Sequence, residues 1–136
     1  MNAFVGGFWD GTWWSQVEDC RRIWRTYRKI EEFDQPSMRW VFVDEFPLLN
    51  DGHLVHLLPT TSTRLPLDGS MNDCPASYHA GSGALSYADG HSEIHQWKGS
   101  KIKAPVSYGK KTLALNVPAG DSVNDIKWWS QNTTVK

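Results

Sequence analysis

Residues 78–98 have the sequence YHAGSGALSYADGHSEIHQWK, and this stretch decides the fold. Asp89-Gly90 separates two short runs in which apolar and polar residues alternate, as they do in half-buried β-strands. An Asp-Gly dipeptide between such runs is a strong hairpin signal, because a two-residue type I′ turn requires positive φ at both central positions. We therefore predict a β-hairpin whose turn is Asp89-Gly90.

A two-residue turn also fixes the register of this hairpin. Leu85 then lies opposite Ile94, and both share a face with Tyr87 because side chains alternate along a strand. We predict that this apolar face meets the core. The opposite face is predicted to be polar and contains Ala84, Ser86, His91, Glu93 and His95, and by the same count Trp97.

Length and composition indicate one globular domain. A chain of 136 residues can bury a core of its own, and 21% charged with 40% hydrophobic residues is an ordinary globular mixture. The net charge of −1 gives no bulk attraction to nucleic acid or to an acidic membrane surface. The eight tryptophans are expected to pack in the core, with an exposed aromatic surface for sugars or partner proteins as the alternative.

The sequence gives no sign of a membrane span or a signal peptide. No apolar run approaches the ~20 residues that cross a bilayer, and residues 1–15 lack a basic start and an apolar centre. As written, we expect a soluble polypeptide. Cys20 and Cys74 are an even pair, and the sequence leaves open whether they form a disulfide.

Other segments predict one helix and further strands. Residues 16–33 are predicted to form an amphipathic helix, because apolar residues recur there at intervals of three and four: Val17, Cys20, Ile23 or Trp24, Tyr27 and Ile30. The remaining predicted elements are strands at residues 40–43, 53–58 and 112–115, a short edge strand around Ile102, and a polar loop before a closing segment at residues 125–129. The first of these strands is apolar on both faces and is expected to be central. Together the elements predict an α+β fold, with one amphipathic helix packed on an antiparallel sheet of about four strands with long loops.

Several ordered blocks of the sequence resemble one known family. His79 is followed by nine residues and then by Asp89-Gly90. Further matching blocks lie at residues 1–4, 40–52, 75–79, 88–93 and 124–129. Together they resemble the C-terminal domain of the prepilin-like H-x9-DG proteins, which are relatives of the type II secretion pseudopilins. The resemblance covers most of the chain.

The resemblance implies a pilin-like globular domain that works by assembly and not by chemistry. A pseudopilin-like subunit of a type II secretion or type IV pilus-like apparatus would contact other pseudopilin subunits or secretion-apparatus proteins. It would lie in the periplasm or at the cell surface, anchored in the inner membrane by a hydrophobic N-terminal helix. Because Met1 aligns inside the family's domain, residues 1–136 are expected to be a single-domain fragment without that helix. The alternative function is an extracytoplasmic carbohydrate- or surface-binding module that uses exposed tryptophans.

His79, Asp89, Gly90 and His91 occupy the family's motif positions. A neutral imidazole donates from one nitrogen and accepts at the other, so His79 could lock the loop before the hairpin by bonding to the turn. A metal site formed by His79, Asp89, His91 and His95 is the alternative, because imidazole and carboxylate ligands suit zinc. His91 and His95 would lie about 13 Å apart along a strand, which opposes a shared ion.

Two acidic loops are candidate calcium sites, with turn capping as the alternative for the first. The first loop contains the family-motif residues Asp44, Glu45, Asn50, Asp51 and Gly52, and calcium prefers such oxygen ligands. The second loop is favoured by resemblance, because major pseudopilins bind calcium just before a similar Asp-Ile…Trp ending. That resemblance makes Asp121, Asn124 and Asp125 the candidate calcium ligands.

No enzyme signature accompanies these blocks. The sequence lacks a nucleophile-elbow motif, a phosphate-binding loop and a zinc-protease motif. Asp44 and Glu45 imitate a carboxylate pair, but adjacent residues in a strand point to opposite faces. We therefore expect that the chain is not an enzyme.

Overall fold

The computed structural model describes residues 25–45, 70–71, 74–103 and 117–133. The strands in these ranges are β1 (Trp40–Val43), β2 (Ser70–Met71), β3 (Ser82–Tyr87), β4 (Ser92–Gln96) and β5 (Val117–Pro118). The α-helix α1 spans Val123–Thr133, and 3₁₀ turns lie at Ile30–Glu32, Pro36–Met38 and Gly120–Ser122. β1, β3 and β4 form an antiparallel sheet in that order, while β2 pairs with β5. The fold is therefore α+β, with a three-stranded antiparallel sheet where the sequence predicts about four strands.

The hairpin of β3 and β4 forms as predicted, but its turn contains three residues. Tyr87 N–H donates to His91 O at 2.9 Å, and Gly90 N–H donates to Tyr87 O at 3.0 Å. Gly90 has a φ of 92°, whereas Asp89 is not among the described residues with positive φ. A β-turn followed by one glycine with positive φ is the usual three-residue hairpin loop. The predicted type I′ turn is therefore wrong.

The extra turn residue moves the hairpin register by one position. Leu85 lies opposite Glu93 and Ala84 lies opposite Ile94, so every side chain of β4 changes face relative to the prediction. Leu85 and Tyr87 are in the core as predicted. Ile94 is 59% exposed, which corrects its assignment to the core. Glu93, His95 and Trp97 move to the core side instead.

The predicted helix at residues 16–33 is wrong over its described part, residues 25–33. That part contains one 3₁₀ turn, and Lys29 before it is extended, with φ −134° and ψ 155°. The Glu32 carboxylate accepts the N–H groups of Arg28 (2.6 Å) and Lys29 (3.3 Å), which gives the backbone an alternative to helical hydrogen bonds. Ile30 is 65% exposed, so the apolar spacing does not mark one buried face. Residues 16–24 lie outside the described residues.

Three strand predictions have different outcomes. β1 occupies residues 40–43 as predicted, but within the described sheet it lies at an edge and β3 is central. Phe42 is 58% exposed, so an apolar residue on each face does not make this strand central. Ile102 is buried in a bend and not in an edge strand. The strands predicted at residues 53–58 and 112–115 lie outside the described residues.

The core lies between the sheet and α1. The sequence analysis predicts only a closing segment there, yet Ile126, Trp129 and Thr133 follow helical spacing and are buried. The Trp129 ring stacks on Trp97 with ring centroids 5.1 Å apart and meets Trp40 edge-on at 5.4 Å. Such aromatic pairs add about 0.5–1.5 kcal/mol each beyond the burial of their area.

The C-terminal end of α1 is fixed by residues at the start of β1. The buried Arg39 guanidinium donates to Gln131 O at 2.6 Å and to Asp34 Oδ2 at 2.9 Å. Trp40 Nε1 donates to Thr133 Oγ1 at 3.2 Å. The negative end of the helix dipole also stabilises the positive charge of Arg39 at this position. Of the described helices, none is long and apolar enough to cross a bilayer.

Candidate functional site at the signature hairpin

His79 lies in a tight turn that precedes β3. Its backbone N–H and C=O both bond to Ser82, at 3.3 and 3.0 Å. The two residues between them, Ala80 and Gly81, have positive φ values of 52° and 84°. Two such hydrogen bonds around two residues with positive φ are the backbone geometry of a two-residue type I′ turn. The sequence predicts a turn of that type at the other end of β3.

The His79 imidazole contacts the loop after β1 and not the hairpin turn. Its Nε2 lies 3.5 Å from Asp44 Oδ2. Asp44 N–H donates to Ala84 O at 3.0 Å, and Ala76 N–H donates to Asp44 O at 2.7 Å. Because β3 has six residues, His79 and Asp89 lie about 20 Å apart at its opposite ends. The predicted bond from His79 to the turn and the alternative metal site that combines them are therefore wrong.

Two further contacts join the sequence blocks at residues 40–45 and 75–79. Tyr78 Oη donates to Glu45 O at 3.0 Å, and Glu45 forms an isolated antiparallel bridge with Pro75. Asp44 and Glu45 thus sit where two blocks meet. The other members of the first acidic loop, Asn50, Asp51 and Gly52, lie outside the described residues.

Asp89 holds the hairpin turn with its own side chain. Its Oδ1 accepts the His91 N–H at 3.1 Å and lies 2.5 Å from His91 Nδ1. The hydrogen bond from the His91 side chain is the main reason why the pKa of Asp89 is below its usual value. The His91 ring stacks on Tyr87, with the ring centroids 4.3 Å apart. Asp89 therefore serves as a turn residue whose carboxylate bonds two residues on.

The register shift gathers polar and aromatic groups on the core side of β4. Tyr87 Oη donates to Glu93 Oε1 at 2.5 Å, and the same oxygen lies 3.7 Å from His95 Nδ1. The His95 ring stacks on Trp128 with centroids 3.7 Å apart and is tilted against Trp97 at 4.7 Å. The predicted register puts Glu93 and His95 on the polar face opposite the core, so this cluster is not predicted from the sequence.

Burial sets the protonation of this cluster. It raises the pKa of Tyr87, with the Glu93 hydrogen bond as a second cause, so the phenol remains a donor near neutral pH. Burial also lowers the pKa of His95, although the Glu93 carboxylate opposes that effect. The protonated phenol therefore hydrogen-bonds to Glu93, while the largely neutral imidazole lies 3.7 Å from the same carboxylate oxygen. The geometry gives this cluster a packing role.

Two of the three candidate calcium residues at the start of α1, Asp121 and Asp125, bind backbone amides. Asp125 accepts the N–H groups of Lys98 (2.9 Å) and Gly99 (2.7 Å). Asp121 accepts those of Ser100 (2.8 Å) and Lys101 (3.3 Å).

Ser122 completes this row, because its Oγ accepts the Ile102 N–H at 2.9 Å. Five consecutive amides, at residues 98–102, therefore bond to three side chains. The amide bonds to Asp121 lower its pKa to about 2, with Ser100 the largest cause. Asn124 is exposed and takes no part in these five bonds.

These observations locate the candidate site residues without uniting them in one centre. The structure brings His79 to Asp44, His91 to Asp89, and Asp121 and Asp125 to one loop. Within the described ranges, no three His, Cys, Asp or Glu side chains are placed to hold one metal ion. The sequence does contain a signal for the side chains that bind the amides of residues 98–102, since Asp121 and Asp125 are four residues apart and would share one helical face.

Comparison of the chain with family models, with curated proteins and with solved structures finds no match.

Proposed function

We propose that the chain is a pseudopilin-like structural subunit of a secretion or pilus-like apparatus, acting by assembly and protein contact. The observation that carries the proposal is that the described parts of three resembling blocks, at residues 40–45, 75–79 and 124–129, lie against one another. His79 meets Asp44, and the closing Trp129 packs on Trp40 and Trp97. Blocks that are far apart in sequence thus contact one another, at the surface through His79 and Asp44 and in the core through Trp129 and Trp40.

The use of the polar motif residues is consistent with this role. Asp89 bonds within its own turn, and Asp121 and Asp125 bond to backbone amides. A subunit that works by contact needs a rigid domain with exposed apolar side chains. Phe42 is 58% exposed and Ile94 is 59% exposed, both on the sheet face away from the core.

The pilin-like fold and a periplasmic or cell-surface location belong to the same proposal. The location is tested on the protein isolated from its native cells, by intact mass and N-terminal sequencing. We expect a processed hydrophobic helix to precede the domain in the mature protein. A mature protein that begins at Met1 would remove the filament role.

A second experiment tests contact directly. A photo-crosslinking residue placed at Phe42 in native cells should join the chain to a subunit that has a pilin-like hydrophobic helix. The same residue at Glu31, which is exposed and outside the sheet, is the matched control. Crosslinks to soluble enzymes, or equal crosslinking from both positions, would contradict the proposal.

The four tryptophans in the described ranges give little support to the alternative carbohydrate-binding module. Trp40, Trp97 and Trp129 are buried, and Trp128 is partly exposed with one ring face against His95. Stacking on a sugar needs an exposed ring face. Acrylamide quenching of tryptophan fluorescence with and without glycans distinguishes the two functions, because a sugar-binding ring must become protected.

Calcium binding at Asp121, Asn124 and Asp125 stays a prediction from resemblance. An ion held by Asp121 and Asp125 would compete with the amides of residues 98–102 for the carboxylate oxygens. Calorimetric titration with calcium, using Asp121→Asn as the comparison, tests it. Equal heats from the two proteins would contradict a site that includes Asp121.

A further inference from the structure

Among the residues that the structure describes, none pairs with the outer edge of β4. Within the described residues the strand is hydrogen-bonded to β3 and to no other strand. Ser92, Glu93, Ile94 and Gln96 are all exposed, and Ile94 is 59% exposed. An exposed edge strand presents a row of N–H and C=O groups to which another strand can bond.

The pairing with β3 shows which backbone groups face outward. His91 accepts from Tyr87 N–H at 2.9 Å, and Trp97 N–H donates to Gly81 O at 3.1 Å. The odd-numbered residues on this side of the hairpin thus direct their backbone N–H and C=O groups towards β3. Successive residues of an antiparallel strand direct their backbone N–H and C=O groups to opposite sides of the strand. Ser92, Ile94 and Gln96 therefore direct these groups outward, away from β3.

The sequence of β4, Ser-Glu-Ile-His-Gln, is complementary to itself when it is reversed. In an antiparallel pair centred on Ile94, each Ile94 faces the Ile94 of a second copy. Glu93 then faces His95 of the second copy, and Ser92 faces Gln96. The Ser92, Ile94 and Gln96 positions form three hydrogen-bonded pairs that exchange six backbone hydrogen bonds. Glu93 and His95 fall in the closer, non-hydrogen-bonded pairs, where side chains interact best.

Neighbouring registers lose this complementarity. A pair centred on Glu93 brings two carboxylates directly opposite each other, which is destabilising. A pair centred on His95 brings two imidazoles together and places Ile94 opposite Gln96. A charged residue on an edge strand normally discourages pairing, but the register centred on Ile94 places each Glu93 carboxylate opposite an imidazole and not opposite another carboxylate.

We propose that β4 binds β4 of a second copy of this chain about a two-fold axis at Ile94, giving a continuous six-stranded sheet. Two five-residue strands bury less than the ~1,000 Å² of a stable interface, so the dimer is weak and forms in the range of about 10 µM to 1 mM. This inference rests on the edge of β4 alone and does not depend on the assembly role. Either can fail without the other.

Sedimentation equilibrium of the full chain from about 10 µM to 1 mM tests the dimer. Ile94→Asp puts two carboxylates on the axis and should raise the dissociation constant about tenfold or more. Gln96→Asp adds the same charge on the same exposed face, but away from the axis and opposite Ser92, and should change it less. Unchanged circular dichroism shows that each variant is folded. A wild-type monomer at the highest concentration, or a dimer that Ile94→Asp leaves intact, would overturn the proposal.

A crosslink tests the register independently. Two Ile94→Cys chains would place their Cα atoms about 5.5 Å apart, within disulfide reach. Two Gln96→Cys chains would place those atoms about 13 Å apart, beyond reach. We expect mild oxidation to give a dimer on a non-reducing gel for Ile94→Cys, above the level of the wild type. Equal crosslinking by Gln96→Cys would exclude this register.

Discussion

Ala80 has a backbone conformation that costs free energy for any residue with a Cβ atom. Its φ is 52°, next to Gly81 at 84°, in the turn that carries His79. A left-handed conformation costs an L-residue about 1–2 kcal/mol, and glycine avoids that cost. The hydrogen bonds of His79 with Ser82 and the contact with Asp44 must therefore hold the strained turn in place.

Ala80→Gly should stabilise the fold. The variant removes the steric cost of the left-handed conformation and loses part of that gain to the greater freedom of glycine in the unfolded chain. We expect the free energy of unfolding to rise by about 0.5–1 kcal/mol. Urea unfolding measures it, with Ala84→Gly as the control. That control lies inside β3 and should lower the same quantity by about 0.5–1 kcal/mol. A fall for both variants would contradict the strain.

At the scale of elements, the start of α1 organises the loop at residues 98–102. Asp121, Ser122 and Asp125 bind five consecutive amides. Gly99 permits this close approach, because a Cβ there would lie 2.1 Å from Ser122 Oγ and 2.4 Å from Ser122 Cα. The two carboxylates also lie near the positive end of the helix dipole.

Acid should weaken this contact between the loop and α1. The amides of Ser100 and Lys101 lower the pKa of Asp121 from 3.8 to about 2 in the folded chain. A lowered folded-state pKa means that its stabilisation is complete above about pH 4 and is lost as the pH falls towards 2. Urea midpoints between pH 2 and 5 should fall less steeply for Asp121→Asn than for the wild type. Glu31→Gln, which removes one exposed carboxylate, is the control, and equal slopes for wild type and Asp121→Asn would contradict the prediction.

The sequence predicts the existence of elements better than their register. The alternation around Asp89-Gly90 identifies the hairpin correctly, since the pattern depends only on local strand geometry. It cannot distinguish a two-residue turn from a three-residue turn, because Asp-Gly suits both. That one residue decides the faces of Glu93, Ile94 and His95. The helix prediction at residues 25–33 fails because Glu32 competes for backbone N–H groups, a local contact that apolar spacing does not reveal.

The candidate site shows the same limit. The motif positions His79 and Asp89 can be identified from the sequence, whereas their partners depend on which elements meet in space. Asp44 lies 35 positions before His79 and contacts it because β1 pairs with β3. The family resemblance suggests calcium at the acidic residues before the closing tryptophans, yet their spacing equally suits amide binding by the first turn of a helix. Chemistry read from residue types alone does not choose between these two roles.

At the scale of the whole molecule, three tryptophans connect elements that are distant in sequence. Trp40 begins β1, Trp97 follows β4 and Trp129 lies in α1. All three are buried, and Trp129 contacts the other two. The sheet and the helix therefore share one core, so truncation of Trp129 should loosen the packing of both.

Trp129→Ala should cost the fold about 3–5 kcal/mol of stability, a large share of the 5–15 kcal/mol typical of a domain. Near-ultraviolet circular dichroism and urea unfolding measure the loss of tertiary packing and of stability. Trp128→Ala, which truncates a partly exposed ring on the same helix, should cost less. Similar costs for the two variants would show that the cluster is not centred on Trp129.

The fixing of α1 at both ends has a consequence for native-state hydrogen exchange. Its first turn is bound to the loop after β4, and its last turn to Arg39 and Trp40 at the start of β1. An ordinary surface helix frays from its ends, so its terminal amides exchange with solvent long before the protein unfolds. Here the first turn cannot open without breaking hydrogen bonds to the loop after β4, and the last turn cannot open without breaking those to Arg39 and Trp40. Deuterium should therefore exchange into the amides of α1, β1 and β4 together, in a single cooperative opening.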